Sequence, residues 1–347
     1  MPRRVSPMLY QLVLEEHRRR LARVIDQRGA AGVKRLYDAA VAELVRRLAI
    51  IAPAGGASFE LHHRRLVLAQ LLQGVKLLAK RLHGELGDLT REAQRESIRS
   101  VEQMIVRLEG EYAGVTPVLP TAEAMRFAGL VDRRRTSLLR AFPKGTENRI
   151  DKQGVAEVTE RMGMSQRQAT SAANLASRMI TRCEQELALS TLQAEPAAQT
   201  IDRIGDVIDG QWYEAERIVR TEGAWASNGA ASDAIEAATE VLPSMQQRWC
   251  EHVDEGSLTP LDDRVDVDSI AMHAQVAQAG GLFTMPATAP RGTLKAPSKV
   301  EVRPELVGRS WEHPPDRPND RAVIAPWRPE WGLPGWRYDA GARVPLV

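Results

Sequence analysis

The chain predicts a mainly α-helical fold, with an N-terminal helical bundle, a smaller α+β domain after it and an extended Pro/Trp-rich C-terminal arm. Three observations carry this. Apolar residues recur at threes and fours through the first half, helix-starting and helix-stopping residues bracket those runs, and beyond about residue 256 Pro and Gly become frequent while the periodicity fades. With 347 residues the chain is long enough to bury a sizeable core and to divide. The predicted division is a basic helical bundle over 1–115, a helical region over 116–255 and a mixed Pro/Gly/Trp-rich domain and tail over 256–347.

Taken in order, Ser6-Pro7 reads as an N-cap followed by Pro at the first helical position. It opens an Arg-rich helix to about Arg28, where Gly29 and Gly32 are expected to interrupt. From Val33 the stripe Tyr37, Ala40, Leu44, Leu48, Ile51 predicts a second helix, stopped by Pro53-Ala-Gly-Gly56. Ser58 caps a third, whose stripe Leu61, Leu68, Leu72, Val75, Ala79, Leu82, Leu86 follows a seven-residue repeat. Another stripe, Ile98, Val101, Ile105, Leu108, follows Thr90. Such stripes need helical partners, hence the bundle.

Beyond the break Thr116-Pro-Val-Leu-Pro120, helices are predicted from Thr121 to about Leu139 and from Glu147 to Met162. Ser165-Gln-Arg-Gln168 is a capping box opening a helix to about Leu189, and a break at Pro196 precedes the helix bearing Arg220-Thr221-Glu222. Short strands are expected near 299–303 and 321–325. All seven tryptophans lie beyond residue 210, and Trp311, Trp327, Trp331 and Trp336 crowd the tail. Such a tail either docks on a partner as an extended strand or folds back on its own domain.

The net charge of +2 conceals an asymmetry. Residues 1–110 carry 20 basic against 12 acidic side chains, residues 111–190 carry 12 against 9, and residues 191–347 carry 15 against 24. A basic half joined to an acidic one suits a polyanion at one end, and Arg18, Arg19, Arg20, Arg64 and Arg65 are the candidate contacts to DNA or a partner. No apolar run reaches signal-peptide or membrane-spanning length, so a soluble, unprocessed chain without a membrane partner is expected. The two cysteines, Cys183 and Cys250, fall in helical patterns without metal spacing and suggest a reducing compartment.

The search for chemistry yields little. His62 and His63 point to different sides of a helix, His17 and His83 sit on Arg-rich helical faces, and His252 and His273 are the histidines that remain as members of some site. The acidic run Asp262, Asp263, Asp266, Asp268 lacks the Gly and terminal Glu of a calcium loop and reads as a solvated turn. Phosphate loops, HExxH and the Gly-x-Ser-x-Gly elbow do not occur. No catalytic residue, metal or cofactor is therefore predicted.

Two segments about ninety residues apart carry a resemblance. Arg217-Ile-Val-Arg220-Thr221-Glu222-Gly-Ala-Trp-Ala-Ser-Asn228 and His313-Pro314-Pro315-Asp-Arg-Pro318-Asn319-Asp-Arg321, with Arg248-Trp249 and Asp254 between them, resemble the Mu-like minor head proteins of tailed bacteriophages. The likeness covers roughly residues 165–330. It departs where many members end the second motif Pro-Asn-Cys-Arg-Cys, since Asp320 and Ala322 stand in place of both cysteines, and the Arg-Thr step after the middle Asp is missing.

What the resemblance implies is a structural protein of head morphogenesis. It would act in capsid assembly near the portal vertex, contacting portal, major capsid protein or packaged DNA, and would be found in the host cytoplasm during assembly and then in the virion head. Two other classes compete. Members of the family have been likened to ADP-ribosyltransferases, but Glu222 lacks the Glu-x-Glu arrangement such a site needs. A nucleic-acid-binding helical protein unrelated to phage rests on charge alone. Within the first motif, Glu222 shares a stripe with Ile218 and Trp225, so its carboxylate calls for a partner from another segment, and Arg321 is the candidate.

Overall fold

Pro7 sits in the first turn of helix α1 (Pro7–Ala22), after Ser6 in an extended conformation, as the sequence requires. The helix does not end at the expected glycines. It passes through a π-helical stretch, Arg23–Gly29, directly into α2 (Ala30–Ile51), which Ala52 ends in the extended conformation that a following proline imposes. The structure, a computed structural model, describes residues 4–52, 61–114, 164–193, 195–253, 260–261, 265, 267–287, 302–315, 320–339 and 342–346. The cap at Ser58, the helices expected over 121–139 and 147–162, and residues 299–301 of the first expected strand lie outside the described residues, while Val302 and Arg303 are not in a strand.

The fold is mainly α. After α2 come α3 (Leu61–Tyr112), α4 (Met164–Leu192), α5 (Ala197–Gly210) and α6 (Trp212–Ala238). Then follow β1 (Gln246–Cys250), the short α7 (Val267–Ile270), β2 (Val276–Gln278), β3 (Phe283–Thr284), β4 (Ser310–Trp311), β5 (Val323–Trp327), β6 (Trp336–Asp339) and β7 (Ala342–Pro345). Helix α4 begins within a residue of the predicted capping box, whose side chains lie outside the description.

The two stripes expected on either side of Thr90 belong to one helix. On α3 the buried residues Val67, Leu71, Val75, Leu78, Leu82, Leu86, Leu89, Ala93, Ser97, Ser100, Met104 and Leu108 advance in steps of four, four and three. That is an eleven-residue repeat, not the expected seven. At 3.67 residues per turn it keeps one face inward along a long helix without left-handed supercoiling.

Gly84 and Gly87 stay helical within it, and a Cβ added at either meets nothing within 4 Å. Gly84→Ala should therefore stabilise by about 0.5–1 kcal/mol through helix propensity alone. Gly29 is different, because a Cβ there would lie 2.8 Å from both Leu89 Cδ2 and Val219 Cγ1. In Gly29→Ala, overpacking of about 1–3 kcal/mol should cancel or exceed the same propensity gain. Chemical denaturation of the two variants checks the contrast, and equal stabilisation would show that the Gly29 contact relaxes freely.

The chain forms two compact units, each assembled from segments distant in sequence: Met1–Val24, Thr90–Val158 and Gly223–Val347 in the first, Ile25–Leu89 and Thr159–Glu222 in the second. The second unit is helical. Its core includes Val33, Tyr37, Leu44 and Leu48 of α2, Leu175, Met179, Cys183 and Leu187 of α4, and Ile201, Ile204 and Ile208 of α5. Ion pairs brace its surface, among them Lys34 with Asp209 at 3.0 Å and Arg203 with Glu195 at 2.8 Å. Burial pushes the Cys183 thiol up to about 12, so it is protonated and inert at neutral pH.

The first unit holds an antiparallel sheet of order β2-β1-β5, with β1 central. Cys250 lies in β1 and not in a helix, a correction to the sequence reading: both edges of Gln246–Cys250 are hydrogen-bonded, to Val276–Gln278 and to Val323–Trp327. The predicted strand near 321–325 is β5, displaced by two residues.

The C-terminal tail is not an extended arm. Trp327 and Trp331 are fully buried and Trp336 nearly so. Each indole N–H finds an acceptor inside the same unit: Trp327 on the Leu333 carbonyl at 3.2 Å, Trp331 on Glu109 Oε1 at 2.7 Å and Trp336 on the His273 carbonyl at 2.8 Å. Large apolar rings whose polar edges are satisfied internally gain more by folding back than by waiting for a partner.

Candidate functional site

The first unit brings together the later part of the first motif, the middle Arg-Trp step and the second motif. Asn228, on the buried face of α6, brackets the start of β5. Its Nδ2 donates to the Ala322 carbonyl at 3.0 Å and its Oδ1 accepts from the Ile324 N–H at 2.9 Å. One turn earlier, the Trp225 ring meets the His313 imidazole edge to face, with centroids 5.1 Å apart. Gly229 leaves room for that imidazole, since a Cβ would stand 3.2 Å from His313 Nε2. Pro314 and Pro315, joined by a cis bond, are buried, and Asp320 turns the chain by accepting from the Ala322 N–H at 3.0 Å.

Arg248 and Trp249 sit on β1, opposite Ala325 and Ile324 of β5. Trp249 is wholly buried against Phe283, centroids 5.4 Å apart, and the Arg248 guanidinium lies 5.2 Å over the Tyr10 ring. A residue missed in the sequence, Glu251, accepts the Trp249 indole N–H at 2.6 Å, while its own backbone N–H donates to His273 Nδ1 at 3.1 Å. Glu251 and His273 are too buried to meet a substrate and hold the sheet and its flank together. Asp268 is likewise structural, accepting from the backbone and the guanidinium of Arg303, whereas Asp262, Asp263 and Asp266 lie outside the described residues.

The earlier part of the first motif lies in the second unit. Arg217 is exposed and 3.5 Å from Glu214, Arg220 pairs with Asp26 at 2.9 Å and with Glu216 at 2.5 Å, and Thr221 donates to the Arg217 carbonyl at 2.8 Å. Glu222 is 2% exposed. Arg321, half-buried, belongs to the first unit. Asp254, Pro318 and Asn319 lie outside the described residues.

The basic candidates separate by environment. Arg18 is buried and donates to the Cys250 and Glu251 carbonyls at the end of β1, with Glu15 at 2.5 Å as its ion partner, so it is a sheet brace and not a phosphate contact. Arg20 is drawn to Glu16 at 2.7 Å and Glu96 at 3.6 Å. Arg19 is exposed. The side chains of Arg64 and Arg65 lie outside the description.

His17, expected on an Arg-rich face, is fully buried, and among the described residues neither ring nitrogen has a hydrogen-bond partner. Burial first, then Arg18 and Arg20, pushes its pKa down to about 3 from 6.5. The unfolded chain takes up this proton near pH 6.5 and the folded chain does not, so His17 costs no stability above that pH and an increasing amount as pH falls towards 3. By pH 5 the loss should reach about 2 kcal/mol. Glu16 and Glu43, held below the usual carboxylate range chiefly by Arg20 and by Arg46 respectively, weaken the fold only below their ordinary value of 4.5. Unfolding measured from pH 7 to 5 should thus flatten in His17→Leu, and an unchanged slope would show that His17 is not the titrating group.

Among the described residues no group of three or more His, Cys, Asp or Glu side chains is placed to hold a metal ion, and no helix is long and apolar enough to cross a membrane. Compared with known proteins, the chain matches no family model, no curated protein and no solved structure.

Proposed function

We propose that the chain is a structural protein of head morphogenesis in a tailed phage or prophage, a minor head protein that works through protein contacts in capsid assembly. The observation that carries the reading is the convergence around Asn228. Trp225 meets the His313 ring, Asn228 brackets Ala322 and Ile324 some ninety residues away at the start of β5, and Arg248-Trp249 pairs with Ala325 and Ile324 of that same strand. A scattered set of residues that packs as one body is what a structural family signature demands. The burial of Glu222 argues against the ADP-ribosyltransferase-like alternative, because a carboxylate that acts on a nucleotide must reach an open cleft. The portal and the major capsid protein are the proposed partners, with the virion head as destination after assembly in the host cytoplasm.

Mass spectrometry of purified particles and proheads tests this. The chain should be present in far fewer copies than the major capsid protein, and its absence from both would overturn the reading.

A further inference from the structure

In the first unit, α1 and the later half of α3 run antiparallel, locked by Glu16 with Arg107 at 2.7 Å and by Arg20 with Glu96 at 3.6 Å. These pairs, with Arg18 on Glu15 and Arg328 on Glu109, engage four arginines of this unit. Three exposed ones beside the seam do not enter such pairs. Arg19 lies three residues past Glu16, Arg23 three past Arg20 and Arg99 three past Glu96, so each is one turn from a residue that crosses the seam. All three are exposed and none has a carboxylate partner among the described residues. Among the described residues their one hydrogen bond runs from Arg19 Nε to the Glu15 carbonyl at 3.3 Å and leaves the outer guanidinium nitrogens to solvent.

We infer that Arg19, Arg23 and Arg99 form a cationic ridge that docks the phosphate backbone of duplex DNA. Arg19, on α1, and Arg23, just past its end, stand about 6 Å apart along the helix axis, with Arg99 across the seam, so the charges spread along it instead of converging on a point. Spread forked donors without a carboxylate partner suit a row of phosphates better than a single carboxylate. Among the described residues no base-reading element accompanies them, so the contact is blind to sequence. The same outward face of α1 exposes Leu12 and Met8 about two and three turns before Arg19, and these add nothing to phosphate binding. The ridge deepens the expectation of a DNA partner without resting on the phage reading, since it stands on charge and exposure alone.

The test uses the full chain, because α1 packs against strands from the C-terminal third. Binding to a short labelled duplex of random sequence is followed by anisotropy as salt is raised. Three phosphate contacts should contribute about −2.7 to the slope of log affinity against log salt, and Arg19→Gln/Arg23→Gln/Arg99→Gln should remove that increment with its thermal melt unchanged. Arg35→Gln/Arg46→Gln, exposed on α2, and Met8→Ser/Leu12→Ser should bind as the parent does. Three results would each overturn the ridge: a triple variant with the parent's slope, no binding by the parent at low salt, or poly-glutamate competing with the duplex charge for charge, which would make the surface a dock for an acidic protein. Absence from virions would leave this result standing, so the two readings fail separately.

Discussion

Replacing Asn228 by Ala should cost about 3 kcal/mol of stability, far more than its size suggests. The side chain is an amide used as a backbone mimic. It gives the Ala322 carbonyl a donor at 3.0 Å and the Ile324 N–H an acceptor at 2.9 Å, at the point where β5 begins. Ala322 is 1% exposed and Ile324 is 0%, so water cannot replace either bond without opening the strand. An unsatisfied buried backbone group costs about 1–3 kcal/mol, and Ala leaves two. Asn228→Asp keeps the acceptor for Ile324 but turns a carboxylate oxygen towards the Ala322 carbonyl, and should be no better than Ala. The exposed Gln103→Ala should stay within about 0.5 kcal/mol of the parent. Guanidinium unfolding followed by tryptophan fluorescence reads the difference, and a loss below about 1 kcal/mol for Asn228→Ala would mean that solvent satisfies the strand start. Such an outcome would also weaken the proposed function, which rests on this bracket.

The helix boundaries that the sequence displays clearly are those fixed by local chemistry. Pro7 after Ser6, Pro53 after Ala52 and Pro196 before α5 act on their own neighbours, and the helices begin or end there. Glycine misleads because its cost of about 1 kcal/mol in a helix is small beside tertiary packing. Gly29 remains helical because Leu89 and Val219, sixty and more residues away, need the space, and no local pattern announces that. The repeat on α3 is legible as helical but not as elevenfold. Steps of four and three, such as those from Leu71 to Val75 and from Val75 to Leu78, also occur in a heptad, and the two patterns part only when counted along the whole helix.

Strand β1 is hidden for a related reason. Gln246-Gln-Arg-Trp-Cys250 has no period-two alternation because it is covered on both faces and paired on both edges, so Gln247, Arg248 and Glu251 are buried beside Trp249 and Cys250. Its polar residues are satisfied by distant ones: Ser232 donates to Gln247 Oε1 at 2.8 Å, and Gln247 Nε2 donates to the Gly281 carbonyl at 2.7 Å. In the candidate site, Asn228 and Trp249 stand out through the resemblance, whereas Glu109 and Glu251 look like ordinary helix or strand acids. Arg23 and Arg99 are likewise indistinguishable in sequence from the paired Arg18 and Arg20, because charge is visible along the chain and pairing is not.

Glu109 should be the carboxylate whose loss most disturbs the C-terminal tail. Its Oε1 accepts from Trp331 Nε1 at 2.7 Å and from Arg328 Nη1 at 2.5 Å, and the residue is 3% exposed. The turn it holds is fixed at its other edge, where the Val5 N–H donates to the Trp331 carbonyl at 3.0 Å. Breaking a buried pair by removing one member costs about 3–5 kcal/mol, because the other charge stays desolvated. The lower end applies here: Arg328 retains Ser244 Oγ at 2.9 Å, Glu330 at 3.4 Å and the Tyr112 ring, 5.8 Å from its guanidinium carbon. Glu109→Ala should therefore lose about 3 kcal/mol and shift the tryptophan emission to the red as Trp331 is wetted. Glu109→Gln keeps an acceptor for the indole and should lose less. Arg328→Met strands the opposite charge, so Glu109→Gln/Arg328→Met should be more stable than the two single losses predict, with a coupling of about 1–3 kcal/mol in a double-mutant cycle. Additive losses with unshifted emission would show that the tail is held by ring burial alone and that Glu109 is a bystander.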